Sequence, residues 1–159
     1  MKRTLASFLM LFIVVNSTHA QQGKGGWLDF KLGYTKHDYS GSIGLTGFFS
    51  KNLNYTVMYV GAGGFSGEKV NTLNFAVGYF VSKSIFFANA KAGLGASYSK
   101  NYGPLNNTTL YSYNFPVEVE SGLWLGPLQL KVAGQYHANP IYSYPAFLFG
   151  IGIGAKPPK

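Results

Sequence analysis

From Trp27 onward the chain alternates apolar and polar side chains with a period of two, the pattern of β-strands whose two faces meet different surroundings. In Trp27 to Thr35, Leu28, Phe30, Leu32 and Tyr34 share one face, and Asp29, Lys31, Gly33 and Thr35 the other. Ser42 to Ser50 sets Ile43, Leu45 and Phe49 against Gly44 and Thr46, with Phe48 out of phase. The same alternation runs through Leu53 to Tyr59, Thr72 to Val81, Phe86 to Tyr98, Tyr111 to Glu120, Leu128 to Tyr136 and Phe147 to Gly154. These segments predict eight strands. No stretch after residue 20 sustains a helical period or is long and apolar enough for a spanning helix.

The predicted connections alternate in length. Long ones fall at Lys36 to Gly41, Gly61 to Lys69, Ser99 to Thr108 and His137 to Ser143; shorter ones at Ser50 to Leu53, Ser82 to Ser84 and Gly122 to Pro127. An even number of strands with long links at one end and short links at the other predicts an all-β, eight-stranded, antiparallel up-and-down barrel. GFFSKNLNY and GYFVSKSIF echo one another at two short turns, which reflects shared hairpin chemistry, since no fixed period runs through the chain.

Alternation alone leaves open which face is inside, and composition decides. Only 11% of the 159 residues are charged, against 47% hydrophobic and 17% aromatic. Soluble domains carry about 25% charged residues, and a domain this small has much surface to cover, so something other than water is expected to cover part of it. The polar face is mostly Gly, Ala, Ser, Thr and Asn, with six charges: Asp29, Lys31, Lys91, Glu118, Glu120 and Lys131. They sum to zero, which suits a packed polar lumen better than a solvated exterior. The apolar face is then the outer wall, and the barrel is a transmembrane one. Eight strands leave room inside only for side chains, which argues against a large pore.

Register arithmetic carries the lumen further. Pairing Tyr98 with Tyr111 sets Lys91 opposite Glu118. Pairing Ser121 with Leu128 across a Gly122 to Pro127 turn sets Glu118 opposite Lys131. A Lys91, Glu118, Lys131 ladder on three adjacent strands would give buried charges the partners they need. Aromatic residues gather near strand ends: Tyr34, Tyr59, Tyr98, Tyr111, Tyr113 and Tyr136 on the long-loop side, and Trp27, Phe49, Tyr55, Tyr79 and Phe86 on the other. Two such girdles are expected of a membrane barrel.

Residues 1–20 read as a signal peptide: Lys2 and Arg3, an apolar run from Leu5 to Val15, then Thr18-His19-Ala20 before a cut at Gln21. The apolar run is shorter than the roughly 20 residues of a spanning helix, which favours a cleaved leader over an anchor. The domain reading is therefore a leader at 1–20 and an outer-membrane barrel at 21–159. Beyond the leader every basic residue is a lysine, scattered singly. With export this excludes nucleic acid as a partner and makes acidic lipid headgroups the expected counter-charge. The absence of cysteine excludes disulfides and thiolate metal sites.

The leader, the eight alternating strands, the loop asymmetry and segments such as TLNFAVGYFVSKSIFFANAKAGLGASYS together resemble the small Gram-negative outer-membrane barrels of the OmpX and OmpA-transmembrane type. The resemblance covers the chain beyond the leader as a pattern and not as a signature motif. It implies a location in the bacterial outer membrane, and as partners outer-membrane lipid and lipopolysaccharide, the barrel assembly machinery and an envelope protein. One departure stands out. Such families end on an aromatic residue that the assembly machinery reads, whereas this chain ends Ala155-Lys156-Pro157-Pro158-Lys159, so the signal is either internal, around FLFGIGIG, or assembly differs.

Candidate chemistry is sparse. Beyond the leader the histidines are His37 and His137, both in predicted outer loops, with Asp38 and Ser40 beside the first and Ser66 and Glu68 in the next loop. A Ser-His-acid set is chemically sound and would match a lipid A-modifying barrel, but no defined spacing is met. The same histidines with Asp38 and Glu68 make only a weak metal site. GAGGFSG lacks the helix and Lys-Ser/Thr of a phosphate loop. The expectation is a non-enzymatic barrel with no cofactor and no metal, in a structural, adhesive or surface-recognition role. A subunit of a larger secretion or conjugation machine is the alternative, and a lipid A acyltransferase or hydrolase the less favoured one.

Overall fold

Alternating β-branched, aromatic and small residues fit a pleated surface with one apolar face, and in the computed structural model they form eight antiparallel strands. The structure describes residues 25–36, 38–63, 68–101, 109–140 and 143–157; the leader, His37 and Ser66 lie outside them. The strands are β1 (Gly26–Thr35), β2 (Tyr39–Phe48), β3 (Leu53–Gly63), β4 (Glu68–Lys83), β5 (Phe86–Asn101), β6 (Thr109–Leu125), β7 (Leu128–Ala138) and β8 (Tyr144–Ala155). Each pairs with its chain neighbours, and β1 pairs with β8, so the sheet closes into a barrel. Closure removes every sheet edge and satisfies the backbone within the wall.

The strands run further than the alternation predicts. The first, second and fourth long connections shrink to residues 36–38, 64–67 and 139–143, because β2 begins at Tyr39, β3 reaches Gly63 and β7 reaches Ala138. Side chains close the ends of two of them. Thr35 Oγ1 donates to the Asp38 carbonyl at 3.0 Å and accepts from its amide at 2.9 Å. Ser143 Oγ likewise donates to the Asn139 carbonyl at 2.8 Å and accepts from its amide at 2.9 Å.

At the other end, β4–β5 and β6–β7 are joined by two-residue turns at residues 84–85 and 126–127. Ser84 (φ 59°) and Gly126 (φ 69°) supply the left-handed conformation that such turns require.

The last of these turns corrects the sequence register. Gly122 to Leu125 continue β6 and do not form a loop. Pairing across β6–β7 therefore shifts by four residues from the predicted one: Glu118 faces Gln135, and Gly122 faces Lys131. The β5–β6 register does set Lys91 opposite Glu118.

The wall is inside out relative to a water-soluble domain. Leu32, Leu73, Leu94, Val119 and Phe149 are 57–74% exposed on its outer surface, while Asp29, Lys31, Lys91, Glu118, Glu120 and Lys131 are buried in the lumen. Tyr34, Tyr59, Tyr98, Tyr111, Tyr113 and Tyr136 face outward near the long-loop end, and Phe49, Tyr79 and Phe86 near the other. Trp27 does not belong to that girdle. It sits on the inward parity of β1 and is 1% exposed.

Candidate functional site in the barrel lumen

Inward positions recur every second residue, so four of the strands each contribute two polar side chains to a shared central layer. β1 supplies Asp29 and Lys31, β5 Asn89 and Lys91, β6 Glu118 and Glu120, and β7 Lys131 and Gln135. Three lysines and three carboxylates thus meet in a lumen closed to water.

Lys31 Nζ lies 2.6 Å from Glu118 Oε1, 3.0 Å from Glu120 Oε2 and 3.4 Å from Asp29 Oδ1. Lys91 Nζ lies 2.5 Å from Glu118 Oε1 and 3.0 Å from Glu120 Oε1. Lys131 does not extend a ladder to Glu118. Its ammonium is 3.7 Å from Asp29 and 3.8 Å from Glu120, and it rests over the Trp27 ring at 4.9 Å and the Phe87 ring at 5.7 Å. The reason is the four-residue shift of β7, which lowers Lys131 toward the short-turn end of the lumen. Cation–π attraction to two desolvated rings partly replaces the missing carboxylate contact there.

Neutral groups extend the network in both directions. Toward the short turns, Asn89 Nδ2 donates to Glu120 Oε1 at 3.0 Å and Asn54 Nδ2 donates to Asn89 Oδ1 at 2.9 Å. Toward the long loops, Gln135 Nε2 donates to Glu118 Oε2, and Gln135 Oε1 lies 3.3 Å from His137 Nε2. His137 Nδ1 is 3.0 Å from Asn114 Nδ2, which also donates to Asn74 Oδ1 at 2.7 Å. An amide N–H₂ only donates, so Nδ1 must accept and Nε2 must carry the proton that Gln135 Oε1 receives. His137 is thus a lumenal residue of β7, fully buried and stacked on Tyr144 at 4.8 Å, and not a loop residue.

Room for the lysine stems comes from glycine. A Cβ on Gly78 would stand 2.5 Å from Lys91 Cγ, and one on Gly150 2.7 Å from Lys31 Cγ and 3.2 Å from Lys131 Cγ. Both glycines face the lumen beside these stems, so the Gly-rich polar face is a packing complement to long side chains.

Apolar clusters lie beyond this polar network toward both ends of the lumen. Trp27, Phe48, Phe80, Phe87 and Trp124 form a cluster at the short-turn end, with Trp27 against Phe48, Phe80 and Trp124 at ring distances of 5.3–5.7 Å. Trp27 Nε1 donates to Asp29 Oδ2 at 3.1 Å, tying this plug to the charges. Toward the long loops lie Ala62, Val70, Ala133, Tyr144, Ala146 and Leu148.

Sequence reasoning missed the aromatic plug. Its signal was the doublets Phe48-Phe49, Tyr79-Phe80 and Phe86-Phe87 beside the short turns: successive strand residues point to opposite faces, so one member of each must enter the lumen. Phe48 is therefore in phase with Ser40, Ser42, Gly44 and Thr46, on the inward face.

Of the candidate catalytic and metal-ligating residues, His37 and Ser66 lie outside the described residues, and the others that can be placed are not brought together. Asp38 and Ser40 are buried at the long-loop end of the wall, whereas His137 is engaged by Asn114 and Gln135. Among the described residues no three His, Asp or Glu side chains form a group suited to a metal ion.

No protein-family model and no curated protein matches the chain. Solved structures do match in fold. The N-terminal β-barrel domain of Pseudomonas aeruginosa OprF superposes with a TM-score of 0.72 at 8% identity, covering 82% of this chain and 96% of that one. Ail, the attachment invasion locus protein of Yersinia pestis, gives 0.57 at 8% identity over 82% and 96%. The outer membrane enzyme PagL gives 0.54 at 16% identity over 80% and 98%. At these identities the likeness is one of fold, the closed eight-stranded barrel of small outer-membrane proteins.

Proposed function

We propose that the chain, after loss of a leader at residues 1–20, is a bacterial outer-membrane β-barrel without enzymatic activity or a large pore, acting through its surface in a structural, adhesive or recognition role. The carrying observation is the pairing of an exposed apolar wall with a lumen occupied by buried side chains. Ten-residue strands, the shortest here, suffice to cross a bilayer when tilted. An apolar plug, a layer of six charges that sum to zero and a second apolar cluster support reading the interior as structural and recognition as a task of the rim and wall. PagL has the same fold and is an enzyme, so fold alone does not decide the chemistry. What supports a non-enzymatic reading is the locked, buried His137.

Refolding into phospholipid vesicles tests the membrane reading. The unheated protein should migrate faster than the boiled one in a detergent gel. Val119→Arg, in the outer band, should lower stability by about 2–4 kcal/mol, the cost of a cation near the bilayer midplane. Recovery of the native protein as a soluble periplasmic species would overturn this reading. Mass spectra of lipid A from cells with and without the protein should be identical; altered acylation would establish the enzyme instead.

A further inference from the structure

We infer that the barrel wall carries a specific site for one anionic phospholipid of the inner leaflet, its phosphate at Lys83 and Lys156 and one acyl chain along a groove crossing β5, β6, β7, β8 and β1. This inference rests on the membrane reading above and adds to it a ligand class and a place.

The groove has a volume of about 860 Å³ and lies on the outer wall. Its floor is the backbone of one cross-strand row, Lys31, Gly150, Lys131, Gly122 and Phe87, whose side chains turn inward or are absent. Its lower wall is the next register row: Phe30, Ile151, Leu130, Leu123 and Phe86, which pairs in turn with Lys83 of β4. The upper wall ends at the small side chain of Ser121. Five strands about 4.8 Å apart make a channel roughly 19 Å long, open to the bilayer and suited to a single extended acyl chain.

The lower end of that row determines the class of lipid. Lys83 is exposed on the outward parity of β4. Lys156, just beyond β8, places its ammonium 3.3 Å from the Ser84 carbonyl, in the turn between Lys83 and Phe86. Lys83, which pairs with Phe86 at the end of the groove, and Lys156, held at the adjoining turn, thus bring two cations to this end of the barrel. Among the described residues no acidic side chain stands on this end of the barrel: of the five Asp and Glu residues in the chain, Asp29, Glu118 and Glu120 are lumenal, and Asp38 and Glu68 lie at the long-loop end. Short turns face the periplasm in outer-membrane barrels, so the two lysines stand at the level of inner-leaflet headgroups. An apolar groove ending in uncompensated cations complements a lipid with a net negative headgroup; a zwitterionic lipid of the same chain length would fill the groove but gain little at the lysines.

The test is native mass spectrometry of the barrel released from vesicles of equal parts phosphatidylglycerol and phosphatidylcholine with identical acyl chains. Folding of every variant is checked by heat-modifiable migration. The wild type should retain one phosphatidylglycerol in preference. A surface lysine contributes about 5-fold to binding an anionic lipid, so Lys83→Gln with Lys156→Gln should reduce the preference roughly 30-fold. Ser121→Phe should reduce retention of both lipids by narrowing the groove. Equal retention of the two lipids by the wild type, or undiminished preference in the lysine double variant, would overturn the site while leaving the folded barrel intact. Rapid barrel–barrel disulfide formation by Ser121→Cys in these vesicles would make the face a self-interface and also overturn it. A wild type that never inserts would instead refute the membrane reading.

Discussion

Replacing Glu118 with glutamine removes the carboxylate that both Lys31 and Lys91 approach most closely, at 2.6 and 2.5 Å. The lumen then holds three buried ammonium groups and two buried carboxylates. Breaking a buried ion pair by deleting one partner costs about 3–5 kcal/mol. Each lysine keeps Glu120 at 3.0 Å, which places the expected loss near the lower end, about 3 kcal/mol. Lys91→Met unbalances the lumen in the opposite sense and should cost a similar amount.

The double variant restores neutrality, with Lys31 and Lys131 facing Asp29 and Glu120. It should therefore lose less than the sum of the two single variants, by about 1–3 kcal/mol of coupling. Equilibrium urea unfolding in phospholipid vesicles measures this. The readout is tryptophan emission, because the chain has two tryptophans and both, Trp27 and Trp124, belong to the plug beside the charges. Additivity within about 0.5 kcal/mol, or a Glu118→Gln loss below about 1 kcal/mol, well under the usual cost of a broken buried pair, would refute the view that these charges act as one balanced unit.

Gly78→Ala and Gly150→Ala should each lower the urea midpoint by the equivalent of about 1–3 kcal/mol of overpacking, since the new methyl would meet a lysine stem at 2.5 or 2.7 Å. Gly134→Ala, with nothing within 4 Å of the added carbon, should be neutral or mildly stabilising in the same assay. Phe80→Ala, at the centre of the plug, should cost about 3–5 kcal/mol and shift tryptophan emission to the red as water reaches Trp27; an unshifted spectrum would show that the plug does not exclude solvent. Nitrogen-15 NMR of His137 should show the proton on Nε2 at neutral pH, and a protonated Nδ1 would contradict the Asn114 and Gln135 hydrogen bonds.

The alternation of Leu28, Phe30, Leu32 and Tyr34 with Asp29, Lys31 and Gly33 is a local property, because successive strand residues point to opposite faces whatever the neighbours do. The eight antiparallel strands, their order and the six charges on the polar parity were therefore legible in the sequence. Where partners sit across the sheet was less so. The β6–β7 register depended on how few residues the turn takes, and Gly126 in a left-handed conformation lets two suffice where six were expected, moving Lys131 from Glu118 to Asp29, Glu120 and the Trp27 ring. The aromatic doublets announced inward rings at two of the short turns, but not that these would meet Trp27 and Trp124 as a plug of five rings from five strands.

Lys31 and Glu118 stand on strands that are not neighbours, 87 residues apart in the chain, and no pairing rule relates them. Only closure of the sheet, which brings β1 next to β8 and bends both across from β6, puts them within hydrogen-bonding reach. The sequence by itself determined which residues of a strand share a face, since successive side chains alternate, and its composition assigned the charged face to the interior. The tertiary structure decided which inward charges touch, because that depends on the circumference and shear of a closed ring.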